Sequence, residues 1–67
     1  MQSDTGEKMP SEVMLHPPGR FSAHWDEIDA GWRAFFDNKE TIDNPYPPGI
    51  RHDAWRWGWL EACDYGN

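Results

Sequence analysis

Basic charge is scarce in this 67-residue chain: six Lys and Arg stand against twelve Asp and Glu, for a formal net charge of −6 at neutral pH. A protein that grips nucleic acid normally neutralises phosphates with clustered Lys and Arg, and an acidic field slows the approach of a polyanion. Any contact with RNA or DNA therefore needs a local basic patch, and the acidic excess reads first as a solubility device. Cysteine is scarce too. Cys63 stands alone, which excludes an internal disulfide and removes any pointer to an oxidising compartment. Beside Ala62 and Asp64 it reads as a small buried apolar residue rather than a reactive thiol. Long apolar runs are missing, and the N-terminus lacks the charged-then-apolar order of a secretion signal, so no membrane partner is expected and the cytoplasm is the expected location.

The residues of site chemistry are thinly spread. His16, His24 and His52 lie in three separate segments with no ligand-type spacing to one another or to Cys63, so no metal site is expected. There is no Gly-rich phosphate loop, no nucleophile elbow and no compact carboxylate pair; Asp26, Glu27 and Asp29 read as a solvated face. No catalytic residue and no cofactor is expected.

Aromatic residues, by contrast, are dense. The chain holds five Trp, three Phe and two Tyr, and nine of these ten lie between Phe21 and Trp59. A chain this short is one domain with a small core, and aromatic rings offset that limit because each buries on the order of 150 to 250 Å². The folded part is thus expected to begin near Phe21. Residues 1 to 20 mix charge, three Pro and two Gly without periodicity and read as a flexible N-terminal tail. Within it, the apolar Val13 to His16 segment is a candidate for docking on the folded part.

From residue 21 to 67 the pattern predicts an all-α fold, a two-helix antiparallel hairpin joined by a long Pro-rich loop. Phe21, Trp25, Ile28, Trp32 and Phe35 recur at spacings of four, three, four and three, which is a helix stripe. The first helix is expected over Ser22 to Phe36, with Ser22 as N-cap and Asn38 as its stop. Gly31 interrupts it, and close approach of another backbone is the preferred reading. In the 39–49 connector, Pro45, Pro47 and Pro48 impose an extended, stiff path, and Tyr46 is expected to cover the open end of the helix pair. A proline-rich ligand for an aromatic groove is the rival reading of this segment. The second helix is expected from Ile50 or Arg51 to about Cys63. Trp55, Trp59 and Ala62 or Cys63 form one stripe, with Gly58 placed beside Trp59 as Gly31 is beside Trp32, while Trp57 and Leu60 occupy another face. A helix apolar on two sides is sandwiched or oligomeric. A homodimer, a different partner, or the Val13 to His16 segment are the candidate covers for Trp57.

Taken together, "GWRA", "NPY" and "WRWGWLEA" resemble the ribosome modulation factor family, over about Gly31 to Ala62. The matching positions are Gly31, Trp32 and Ala34, then Pro45 and Tyr46, then Trp55, Gly58, Trp59 and Ala62. The resemblance implies a pair of helices joined by a long loop, and a bacterial protein that binds the small ribosomal subunit near the 3′ end of its rRNA, promoting inactive ribosome dimers. The family is strongly basic, whereas this chain is acidic. Between Gly31 and Ala62 four basic residues, Arg33, Lys39, Arg51 and Arg56, face five acidic ones. The candidate RNA- or partner-binding residues are Arg33, Arg51, Arg56, Trp57 and Tyr46, and the candidate partners are the small ribosomal subunit or a host protein. Three functions follow: a ribosome-associated regulator of translation or hibernation; an acidic protein-binding inhibitor or adaptor, of the kind phages and mobile elements carry; and a small-molecule-modifying enzyme.

Overall fold

A computed structural model describes residues 16–66. The tail through Leu15, with most of the Val13 to His16 segment, lies outside the described residues. The rest is all-α: helix α1 spans Trp25–Phe36, helix α2 spans Ile50–Gly66, and two 3₁₀ turns, Gly19–Phe21 and Thr41–Asp43, precede each of them.

Helix α1 starts later than Ser22. Pro18 is extended (φ −52°, ψ 150°), and the chain then closes the first 3₁₀ turn, whose C-cap is Ser22 and whose Phe21 is 1% exposed. His24 takes the N-cap position, and its carbonyl accepts from the Glu27 and Ile28 amides. The physical reason is Phe21: burying one Phe side chain is worth about 1.5 to 3 kcal/mol, and the turn carries its ring to α2. The boundary drawn at residue 20 therefore falls inside a folded turn. The far end of α1 is as expected. Asn38 adopts φ 66°, and the Asn38 and Lys39 amides bond back to the Phe35 and Ala34 carbonyls, closing the helix in a Schellman motif.

The two helices pack on each other and are joined by the long Pro-rich loop, as the sequence predicts. Their relative sense is different. The ends pair like with like: Glu27 meets Arg51 near the two helix starts, while Trp32 meets Tyr65 and Phe35 meets Gly66 near the two helix ends, with Ile28, Gly31, Trp55 and Gly58 at the crossing between. The helices thus run side by side in the same direction, which corrects the antiparallel expectation. The connector makes the return journey. It leaves α1 at Lys39, whose carbonyl accepts from Trp59 Nε1 at 2.9 Å, and reaches the first turn of α2 at Asn44 and Tyr46. A 12-residue helix is about 18 Å long, which an extended, proline-stiffened segment spans easily.

Reciprocal glycines bring the helices together. A Cβ built on Gly31 would strike the Trp55 carbonyl, with its carbon 2.8 Å away, and one on Gly58 would strike the Ile28 carbonyl, again 2.8 Å from the carbon. Each glycine therefore admits the partner's backbone, as the close-approach reading requires. The α2 seam is built from small residues one turn apart, Ala54, Gly58 and Ala62, all buried. Rings sit beyond this contact at both ends. Phe21, Ile28 and Ala54 form one cluster with Trp25 and Trp57 against it. At the other end Trp32 contacts Phe36 and Tyr65 at 5.8 and 5.3 Å, and Phe35 meets Trp59 edge-on at 5.3 Å. Tyr65 explains why α2 continues past Cys63: its ring lies against Trp32, which is 1% exposed.

Trp57 is accordingly half-buried, with the Phe21 ring 6.3 Å from its own. The first 3₁₀ turn supplies part of the cover for this face of α2, while Leu60, one turn on, keeps 42% exposure. Among the described residues no helix is long and apolar enough to cross a membrane.

Candidate functional site

The connector's "NPY" builds a clamp on α2. Asn44 Oδ1 accepts the Tyr46 amide at 3.1 Å, an Asx turn, while its Nδ2 donates to the His52 carbonyl at 3.0 Å. His52 Nδ1 lies 2.9 Å from the Tyr46 carbonyl. A carbonyl only accepts, so Nδ1 carries the hydrogen in this contact. The clamp fixes the Tyr46 ring, and the Arg51 guanidinium stacks on it, 4.6 Å from the centroid. Tyr46 thus stands at the first turn of α2, half-buried beneath Arg51.

Arg51 Nε also donates to Glu27 Oε2 at 3.1 Å, which ties the start of α2 to the first turn of α1. Lost hydration works against ionisation of Glu27, but its own backbone amide, the Arg51 hydrogen bond and the charges of His24 and Arg51 together hold its carboxyl below the usual value. The Glu27 and Tyr46 hydrogen-bonding contacts raise the Arg51 pKa further above its already high value. From Glu27 the same face of α1 continues through Ala30 and Ala34 to Asp37 at three- and four-residue steps. There a groove of about 510 Å³ opens between α1 and the connector, lined by Arg33, Lys39, Asp37, Asp43, Pro45 and Trp55 among others. Arg33 Nε donates to Asp29 Oδ2 at 3.2 Å.

A second groove, of about 250 Å³, lies between the first 3₁₀ turn and α2, lined by Arg20, Phe21, Asp53, Arg56, Trp57 and Leu60. Asp53, Arg56, Trp57 and Leu60 recur at three, four and seven residues, one face of α2. Arg20 stacks on Phe21, 4.6 Å from its centroid.

The structure thus divides the sequence-predicted residues between two surfaces. Arg33, Arg51 and Tyr46 share the connector side with Lys39; Arg56 and Trp57 lie on the other, with Arg20. Sequence reasoning did not single out Arg20, which it assigned to the tail, nor Glu27, Asn44 and His52 as partners of this site. The Asn-Pro-Tyr run carried a readable signal, since Asn before Pro favours an Asx turn; the Glu27 pairing, across 24 residues, carried none. No group of three or more His, Cys, Asp and Glu able to hold a metal ion occurs among the described residues. In comparison with known protein families, curated proteins and solved structures, the chain matches none.

Proposed function

We propose that this chain is a small ribosome-associated regulator resembling ribosome modulation factor, acting by binding rather than by catalysis. One observation carries the reading: the nine positions of the resemblance belong to one connected unit. Gly31 and Gly58 make the helix crossing, Trp32 and Ala62 are buried within it, Trp59 holds the connector at Lys39, and Pro45 and Tyr46 belong to the clamp on α2. The surface favoured for contact with the small subunit is the connector side, where the Tyr46 ring and Arg51 offer a stacked aromatic and guanidinium pair, a recurring arrangement in recognition of single-stranded RNA. Arg33 and Lys39 line the adjoining groove, together with Asp37 and Asp43.

Co-sedimentation with purified small ribosomal subunits over a salt series tests the reading. Binding through phosphates should fall with salt by about 0.7 to 0.9 log units per log unit of salt for each neutralised phosphate. Arg51→Ala and Tyr46→Ala should each weaken it. Absence of pelleting at low salt refutes the proposal.

The second reading, an acidic inhibitor or adaptor docking on a basic host protein, is favoured by a different observation. Arg33 and Arg51 are each engaged by a carboxylate of the chain itself, Asp29 and Glu27, so an approaching phosphate must displace an existing partner. Under this reading, reversal of Asp26, Glu27 and Asp29 to Lys is the damaging change, and Arg51→Ala is tolerated. A small-molecule-modifying enzyme is the third reading, with no residue assigned to its chemistry.

A further inference from the structure

The groove between the first 3₁₀ turn and α2 stands apart from the ribosomal reading, because none of the nine positions that carry the resemblance lines it. Two features of its lining matter. Arg20 and Arg56 make no ion pair with any described residue, in a chain with a twofold excess of carboxylates, whereas Arg33 and Arg51 are both paired. Both arginines flank an apolar floor made by Phe21, the half-buried Trp57 and Leu60, the last 42% exposed.

We infer that this groove is a docking site for an acidic segment of a partner protein, one in which an Asp or Glu lies next to a bulky apolar side chain. The partner's carboxylate would meet the Arg20 and Arg56 guanidiniums, whose planar forks match a carboxylate in two parallel hydrogen bonds. Its apolar side chain would cover Leu60 and the open edge of Trp57. Asp53, on the same wall, decides between a peptide and a nucleic acid. A carboxylate only accepts hydrogen bonds. It can therefore take a peptide N–H, but it repels the phosphates on either side of a stacked base. The net charge of −6 points the same way: it opposes a polyanion along its whole length and opposes a single carboxylate far less. The volume, about 250 Å³, suits one or two side chains rather than a folded surface.

The test is a selection of random 12-residue peptides displayed on phage against the full chain, with the Arg20→Glu/Arg56→Glu double variant as counter-screen. Enriched peptides should carry Asp or Glu within a residue or two of Leu, Phe, Ile or Met. A synthetic peptide of the enriched sequence should shift the Trp57 indole and the Arg20 and Arg56 side-chain resonances. Its affinity should fall about tenfold or more on the double variant and on Leu60→Asp, as expected from loss of charge-assisted hydrogen bonds. Both variants change exposed side chains, and an unaltered far-UV spectrum establishes that they fold. Enrichment of peptides without carboxylates, equal binding to the variants, or no enrichment overturns the inference. So does a 12-nucleotide single-stranded RNA that moves these resonances when the peptide does not, or movement on concentrating the protein alone, which would assign the groove to a second copy. Pelleting with ribosomal subunits is a separate readout, so either proposal can fail without the other.

Discussion

Helices α1 and α2 solve opposite problems. Helix α1 is amphipathic in the ordinary way: Ile28, Gly31, Trp32 and Ala34 are buried, and Asp26, Arg33 and Asp37 face outward. Helix α2 carries apolar residues around most of its circumference and looks, as a sequence, like a helix with no single inside. Among the described residues it has three neighbours. The small-residue seam takes α1, the Trp55 and Trp59 side takes the returning connector, and the Trp57 side takes Phe21. The apolar sides of α2 are thus covered in part by a loop and a 3₁₀ turn as well as by a helix. The tryptophans do not form the seam; they flank it, where there is room for a ring.

The comparison breaks most completely at the largest buried ring. Trp32→Ala should cost about 3 to 5 kcal/mol, enough to unfold so small a domain, and loss of the helical far-UV signal is the expected result. If the first 3₁₀ turn is a true third neighbour of α2, Phe21→Ala should destabilise by about 3 kcal/mol. A denaturation midpoint unchanged by that substitution would return Phe21 to the tail.

The seam is tested by adding single methyl groups. In a helix, Gly→Ala is favourable by up to about 1 kcal/mol, yet at Gly31 or Gly58 the new Cβ meets partner backbone that cannot rotate away. Net destabilisation of about 1 to 3 kcal/mol is expected from overpacking. Gly19, with nothing within 4 Å of its built Cβ, is the control and should be close to neutral.

Loosening the connector should have a smaller effect. Asn44→Ala removes the two hydrogen bonds that this side chain gives the clamp, and a net loss of about 1 to 2 kcal/mol is expected at the usual worth of such bonds. The smallest effect is electrostatic. Because Glu27 has its pKa lowered in the fold, its ionised form contributes stability above the unfolded value of about 4.3, and that contribution is lost as the pH falls through the lower folded value. Glu27→Gln should therefore lower the melting temperature slightly near neutrality. The gap should close on acidification below about pH 4, and a gap that widens there would contradict the pairing.

Much of this fold was legible. The stripe of α1, the stop at Asn38 and the meaning of Gly31 and Gly58 follow from helical spacing and from the cost of a glycine that nothing else would justify. The sense of α2 was not read, although its sign was present: neighbouring antiparallel helices need only two to five linking residues, and a long connector stiffened by three prolines is better suited to a return path. Phe21 continued the stripe so well that a helix start at Ser22 concealed the turn before it. The division of Arg33 and Arg51 from Arg56 was beyond the sequence, because it depends on which side of α2 each neighbour occupies. Nor could periodicity show that Arg20 and Arg56, 36 residues apart in the chain, line one groove.

The Asn44 clamp has a kinetic consequence. It joins residues only eight apart, so it closes at a small loop-entropy cost, whereas the Glu27–Arg51 pair and the glycine crossing must bridge 24 to 30 residues. The turn from Asn44 to His52 is therefore expected to form ahead of the crossing and to set the direction in which α2 leaves the connector. A chain that reached the crossing first would be free to dock α2 in either sense. With the local turn made early, the search among helix orientations narrows to one, and the prolines that withhold backbone donors from the connector also direct the route by which the molecule folds.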